Sequence, residues 1–167
     1  MAEADHIYLM NANVAVKKGS AAPLTDQETY DRTQYKYTVD QSTGFGMSAD
    51  EARLATGQHQ NTDHVTAYII RDWARKNGDD TFGQGFSVAS GGPSAFLLEG
   101  APSLTLAHEM GHALGLGHYD PDKPDAAHNL MALPKDSVEA KQHTHLMSDQ
   151  VDAIRKASPV FAHWGSE

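Results

Sequence analysis

In two stretches of the first forty positions, apolar residues recur at every second place, which is the spacing of a strand with one buried face. Residues 6–18 form two short β-prone pieces, separated by a turn or bulge at 11–13. Residues 33–40 alternate more regularly, because two tyrosines and a valine are separated by polar residues. The pattern therefore predicts strands in both places.

Two other stretches of the N-terminal half have helical spacing. Residues 63–77 place apolar side chains three or four positions apart and stop at Gly78, which predicts a helix. A shorter helix is predicted over 48–57. Residues 82–88 and 95–98 then predict two short strands on either side of a glycine-rich break.

The last third of the sequence predicts two helices joined by a loop-rich segment. Ser103 is a suitable N-cap for a helix over 104–114. Three prolines interrupt the segment that follows, and a final helix is predicted over 149–157, opened by Ser148.

Composition and charge narrow the classes of function. The 167 residues suffice for one domain with a core, and no apolar run is long enough to span a bilayer. The formal net charge of −9 argues against nucleic acids and anionic membranes as partners. The absence of cysteine excludes disulfides and cysteine-ligated zinc within this chain. Residues 1–5 are polar and acidic, unlike a secretory signal.

The clearest candidate chemistry lies in one stretch, HEMGHALGLGH, which begins at His108. Positions four apart share a helix face, so His108 and His112 can offer ring nitrogens to one metal ion, while Glu109 can reach a water on that ion. Gly115 allows the helix to end in a left-handed residue, after which His118 can provide a third ligand. Three protein ligands plus a water are typical of catalytic zinc.

This stretch resembles the motif of the metzincin zinc endopeptidases at all five fixed positions, and Met131 stands where that clan carries a methionine turn. Residues 146–154 resemble the clan's C-terminal helix. The resemblance implies an α+β fold with a twisted mixed β-sheet, a backing helix, a zinc-site helix and an active-site cleft. It implies one catalytic domain over 1–167, with an upper subdomain of about 1–118. The small irregular lower subdomain of about 119–167 ends in a helix.

The same resemblance implies a zinc metalloendopeptidase with one catalytic Zn²⁺ held by His108, His112 and His118. Glu109 is then the general base toward a metal-activated water. Substrate peptides in this clan lie extended along an edge strand, and the candidate edge here lies within 85–98.

Several residues near the motif either differ from the metzincin pattern or are candidates for supporting the metal ligands. Some metzincins carry a tyrosine two residues after the methionine, where this chain has Leu133. Tyr119 and Asp120 are candidates for supporting the metal ligands. We expect Tyr119 to pack into the lower subdomain and Asp120 to orient a loop or a histidine. We expect His143 and His145 to lie in an exposed polar loop.

Two alternatives to an endopeptidase are a zinc-containing peptide-binding module without turnover and a zinc amide hydrolase that acts on cell-wall peptides. The intact Glu109 argues against the first, because a binder needs no base there. Bacterial metallopeptidase domains of this kind also occur as toxic C-terminal extensions of secreted proteins, including spike proteins of the type VI secretion apparatus. We therefore expect a secreted or delivered effector domain, monomeric when isolated, that acts in a target bacterium's periplasm or a host cell.

Overall fold

Three strands form a mixed sheet in the computed structural model, which describes residues 2–16, 65–70, 85–88, 94–133 and 143–157. The strands are β1 (Thr66–Ile70), β2 (Gly85–Val88) and β3 (Ser94–Leu98), in the order β1-β3-β2. β1 is parallel to β3 and β2 is antiparallel to it. β3 confirms the strand predicted at 95–98, and β2 lies within the one predicted at 82–88. The candidate edge strand for substrate lies within 85–98, which contains β2 and β3. β3 is paired on both sides, so β2 is the edge strand among the described residues of this range.

The described residues also form three α-helices and a short 3₁₀ helix: α1 (Ala2–Ala12), α2 (Ser103–Ala113), the 3₁₀ helix Ala126–His128, and α3 (Ser148–Ala157). α1 packs against both α2 and α3, and α2 packs against β2 and β3. The architecture is α+β, as predicted. No helix within the described ranges is long and apolar enough to cross a membrane.

The β-prone segment predicted at 6–18 is wrong, because α1 occupies its first half. The buried side chains of α1 follow helical spacing: Ala4, Ile7, Tyr8 and Ala12. The alternation of Ile7 with Leu9 does not reflect burial, since the Leu9 side chain is 45% exposed. The turn predicted at 11–13 is the end of the helix, where Asn13 adopts a left-handed φ of 54°.

The helix predicted over 63–77 is wrong at residues 66–70, which form β1. This stretch is rich in β-branched and aromatic residues, which favour strands. Tyr68 is buried whereas Ala67 and Ile69 are exposed, so burial follows a period of two. Residue 65 precedes the strand and is not helical, while residues 63–64 and 71–77 of this predicted helix lie outside the described residues. The strand predicted at 33–40 and the helix predicted at 48–57 also lie outside them.

The helix boundaries predicted in the last third agree with the structure to within one residue. α2 begins at Ser103, and no side chain caps it, so the predicted N-cap role of Ser103 is wrong. Its hydroxyl instead donates to the carboxylate of Glu3 in α1. α3 begins at Ser148, where the Met147 N–H donates to Gln150 Oε1 at 2.8 Å, as in one half of a capping box.

The largest described apolar core lies between the three helices, and α1 is attached to both of its partners by buried or half-buried polar side chains. The Tyr8 hydroxyl donates to Ala107 O at 2.8 Å, and burial raises the pKa of Tyr8 far above its usual range. Asn11 Nδ2 donates to Thr144 O at 2.9 Å, and Asn11 Oδ1 accepts from the Leu146 N–H at 3.1 Å. α1 therefore holds the start of the motif and the segment before α3 in fixed positions.

Candidate metal centre and active site

α2 ends directly after the second histidine of the motif, in a turn that reverses the chain. Gly115 has a φ of 94°, and its N–H donates to His112 O at 2.8 Å. The Leu116 N–H donates to Gly111 O at 2.9 Å. This pair of bonds is the Schellman arrangement, which favours glycine at the left-handed position. The turn predicted at Gly115 is therefore present, and it carries His118 back toward the helix.

Three histidine rings converge beyond this turn, with one potential ligand atom from each within 4.8 Å of the others. His108 Nε2 and His112 Nε2 are 3.1 Å apart. The His118 ring centroid lies 4.5 Å from that of His112 and 5.5 Å from that of His108. Two nitrogens bound tetrahedrally to one ion at about 2.1 Å are separated by about 3.4 Å. The observed spacing is therefore close to that of ligands sharing an ion.

Backbone carbonyls determine which nitrogen of the two helical histidines faces the centre. His108 Nδ1 donates to Leu130 O at 2.7 Å, and His112 Nδ1 donates to Leu116 O at 2.8 Å. A carbonyl oxygen only accepts, so each neutral ring carries its proton on Nδ1 and leaves Nε2 bare. Burial lowers the pKa of His108 to about 4 and also lowers the pKa values of His112 and His118.

The donor set therefore fits a divalent metal ion. The bare Nε2 atoms of His108 and His112 direct lone pairs toward each other at 3.1 Å, an unfavourable contact that a cation between them relieves. Neutral imidazole is the form that binds zinc and its neighbours in the first transition row. Among the described residues, this triad is the one group of three or more histidine, cysteine or acidic side chains with such spacing.

Glu109 follows the first of these histidines on α2 and is 5% exposed. Its Oε2 is buried, and no described residue donates a hydrogen bond to it. Burial raises the pKa of Glu109 to about 8, because water no longer stabilises the carboxylate. A buried carboxyl group with an ionisation near neutral pH, next to potential metal ligands, has the properties of a general base.

Met131 lies beneath the motif helix in a β-turn that we call the 129–132 turn. The Ala132 N–H closes this turn on Asn129 O at 3.1 Å, and Asn129 Oδ1 accepts from the Met131 N–H at 2.8 Å. The Met131 side chain is fully buried against the backbone of Gly111. A glycine at this point of the motif gives the methionine room to approach the helix.

The family model for peptidase M66 matches residues 4–132, from α1 to the end of the 129–132 turn. The chain belongs to the peptidase M66 family. This is a metallopeptidase family, and the histidine triad lies within the matched range. Neither the curated proteins nor the solved structures contain a match to the chain.

The three successive carbonyls of the 129–132 turn each hold a different part of this M66 peptidase in place. Leu130 O accepts from the His108 ring, and Met131 O accepts from the Tyr119 N–H at 2.8 Å. Ala132 O accepts from His143 Nδ1 at 3.1 Å.

His143 corrects a prediction made from the sequence. The sequence predicts an exposed loop for both His143 and His145, yet the His143 side chain is 4% exposed, whereas His145 is exposed. Its charged form is close enough to lower the pKa of His108. The polar residues around it offer no burial pattern, so only the tertiary contact with the 129–132 turn reveals it.

The other candidate supporting residues of the M66 peptidase lie after the third histidine. Tyr119 packs against the core with Lys123 Nζ 5.1 Å from its ring centroid, and Asp120 Oδ1 accepts from the Asp122 N–H at 3.0 Å. Both arrangements agree with packing and loop-orienting roles. Leu133 is 52% exposed at the position where some metzincins carry tyrosine.

Gly111→Ala should destabilise the M66 peptidase. Alanine is the better helix former by about 1 kcal/mol. Its Cβ would nevertheless overlap Met131 Sδ and lie 3.1 Å from Met131 Cε, and the Met131 side chain is fully buried. Such overpacking costs about 1–3 kcal/mol, so we expect a net loss in urea unfolding.

Gly117→Ala is the matched control, because no described atom lies within 4 Å of a Cβ added there. Met131→Ala introduced together with Gly111→Ala should cost less than the sum of the two single changes. Additive losses would show that the close approach of residues 111 and 131 has no energetic consequence.

His143→Leu should weaken the first equivalent of zinc about tenfold, the low end of the effect of groups that orient metal ligands. Leucine removes the donor to Ala132 O, so the turn that also holds His108 loses one of its hydrogen bonds. His143→Asn retains a donor near the position of Nδ1 and should bind zinc as the wild type does. Competition titration with a chromophoric chelator measures the zinc affinities of both variants. Equal affinities would exclude a role of the His143 hydrogen bond in holding the metal ligands.

Proposed function

We propose that this chain is a zinc-dependent endopeptidase of the metzincin type. The observation that carries the proposal is the pair of bare Nε2 atoms of His108 and His112, 3.1 Å apart, with the His118 ring beside them. The same helix carries the buried carboxyl group of Glu109. A site with three neutral imidazoles leaves coordination positions open to water and substrate, as in catalytic zinc sites.

His108, His112 and His118 would hold the ion. Bound there, zinc supplies Lewis acidity, which makes water more acidic and polarises a peptide carbonyl. The carbonyls of Leu130 and Leu116 keep two of the rings in the tautomer and orientation that binding requires.

Glu109 would carry the proton through the reaction. Its carboxylate takes a proton from the attacking water, and the resulting acid donates it to the nitrogen of the leaving amine. A pKa raised by burial makes the carboxylate basic enough for the first transfer and the acid able to make the second. A binding module without turnover has no use for this group, which supports hydrolysis.

Two further features support the metzincin type. Met131 is buried under the motif helix, as the clan's methionine turn requires. β2 is antiparallel to β3 and forms an edge of the described sheet. We propose that a protein or peptide substrate lies extended along β2 by strand addition. The metal site would then lie on the motif helix above the 129–132 turn. We propose that residues 1–167 form one catalytic domain around it.

We also propose the biological setting that the sequence resemblance favours. The domain would be a bacterial toxin or effector, carried by a larger protein of a secretion apparatus and acting outside the producing cell. Expression in a test bacterium with and without a periplasmic export signal addresses this. Growth arrest by the exported wild-type domain alone supports the setting, and growth that continues in both cases argues against an antibacterial role.

The test of the enzymatic proposal combines metal content with substrate class. Mass spectrometry should give one zinc per chain, and the zinc-loaded protein should cut a mixed peptide library at internal bonds. Hydrolysis of muropeptides without cleavage of the library would replace the endopeptidase with a cell-wall amide hydrolase. Failure to retain zinc would refute the proposal.

A further inference from the structure

Two histidines outside the candidate active site lie side by side on the surface. His128 ends the 3₁₀ helix, His145 lies just before α3, and both are exposed. Their ring centroids are 6.2 Å apart, with 67° between the ring planes. Neither ring belongs to the histidine triad, and neither contributes to the buried core.

The backbones that carry these two rings are fixed to each other. The His145 N–H donates to His128 O at 2.9 Å, and the Thr144 N–H donates to the same oxygen at 3.0 Å. The Leu130 N–H donates to His145 O at 2.7 Å, and Asn129 and His145 form a bridge. Because the Cα positions are set by these bonds, only side-chain rotation is needed to bring the two imidazoles together.

The ring geometry suits a shared ion after a small rotation. Two imidazoles that bind one metal at about 2.1 Å with a tetrahedral angle have ring centroids about 5 Å apart. The triad has centroid separations of 4.5–5.5 Å, so the surface pair is wider by about 1 Å. His145 Nδ1 is 3.4 Å from Thr144 Oγ1, so Nε2 is the nitrogen of this ring that we assign to the ion.

We propose that His128 and His145 form a second metal site, for a divalent ion that prefers imidazole, such as Zn²⁺ or Ni²⁺. The two imidazoles supply two ligands and water completes the coordination, so this site binds more weakly than the triad. Oxygen-preferring Mg²⁺ does not bind there. The ion links the start of the 129–132 turn to the segment before α3. This site is independent of whether the triad is catalytic.

The experiment is a zinc titration of the full chain by calorimetry, followed by Ni²⁺ addition to the protein loaded with one equivalent of zinc. Wild type should show a tight event and a weaker second event. His128→Ala and His145→Ala should each weaken the second event at least tenfold, since even groups that merely orient ligands contribute about 10–100-fold to affinity. Both variants should keep the tight event, which also demonstrates that they are folded.

His6→Ala is the matched control, because His6 is an exposed histidine on α1. It should retain both events, and Mg²⁺ should give no second event in any variant. In proton NMR, Ni²⁺ should broaden the ring resonances of His128 and His145 before that of His6. A second event that survives in both alanine variants, or its absence from wild type, would overturn the proposal. If wild type lacked the tight event but kept the weaker one, the result would contradict the proposed zinc site of the triad and still support the His128–His145 site.

Discussion

Replacing Glu109 with glutamine is expected to reduce peptide hydrolysis by about 10²–10⁴-fold, the contribution of a well-placed general base. Glutamine preserves the shape of the side chain but cannot accept the proton of the attacking water. Zinc should still bind with one equivalent per chain, because the three imidazoles are unchanged. Cleavage of a peptide library and metal content are measured on the same samples, and Glu99→Gln, at an exposed position, is the control.

The same substitution should stabilise the metal-free protein. Burial raises the pKa of Glu109 from 4.5 to about 8, so folding holds a proton that the unfolded chain releases. Below pH 4.5 Glu109 is protonated in both states and does not reduce the free energy of unfolding of the wild type. As the pH rises from 4.5 toward 8, the buried Glu109 lowers this free energy progressively. Glu109→Gln removes that loss, which is on the order of 3 kcal/mol at pH 7.

Urea unfolding of the chelator-treated proteins at several pH values measures this difference. The advantage of the variant should grow between pH 4.5 and 8 and vanish below that range. A variant as active as wild type would exclude Glu109 as the base, and a stability difference independent of pH would exclude its buried ionisation.

Metal removal is expected to make the protein acid-sensitive. Burial lowers the pKa of His108 to about 4, so the unfolded chain binds a proton between pH 6.5 and 4 that the folded chain does not. Stability from this group is therefore present above pH 6.5 and is lost as the pH falls toward 4, by on the order of 3 kcal/mol. The lowered pKa values of His112 and His118 act in the same direction.

Thermal unfolding from pH 7.5 to 4.5, with and without a chelator, tests this expectation. The zinc-loaded protein should remain stable to a lower pH, because the ion must be displaced before the rings can be protonated. His145→Ala, at an exposed ring outside the triad, should leave the acid sensitivity of the metal-free protein unchanged. Coincident curves with and without chelator would show that the triad does not bind zinc, and metal-free stability that does not fall between pH 6.5 and 4.5 would show that the triad does not titrate on unfolding.

The motif could be predicted from the sequence because its chemistry is local. His108 and His112 are one helical turn apart, and Gly115 is where a left-handed residue is needed, so helix geometry alone brings most of the triad together. Met131 was identified by its position after the motif, and its burial beneath Gly111 agrees with that reading.

The mistakes concern elements whose structure depends on distant partners. α1 has apolar residues that satisfy both a strand and a helix pattern, and packing against α2 and α3 decides for the helix. The four-residue spacing of Val65 and Ile69 predicts a helix through β1, whereas pairing with β3 makes this segment a strand. His143 lies in a polar stretch of the sequence, and its burial goes with a tertiary contact, the hydrogen bond to the carbonyl of Ala132.

The long-range hydrogen bonds of α1 have a consequence for folding during synthesis. Tyr8 binds Ala107, Asn11 binds Thr144, and Ala12 O accepts from Arg155 Nε at 3.0 Å, across sequence separations of 99, 133 and 143 residues. At typical translation rates, about 7–30 s separate the synthesis of Ala12 from that of Arg155. The N-terminal helix must wait that long for its partners. A nascent chain that ends before Arg155 therefore lacks part of these attachments, and we expect the core between the three helices to form only after α3 has left the ribosome.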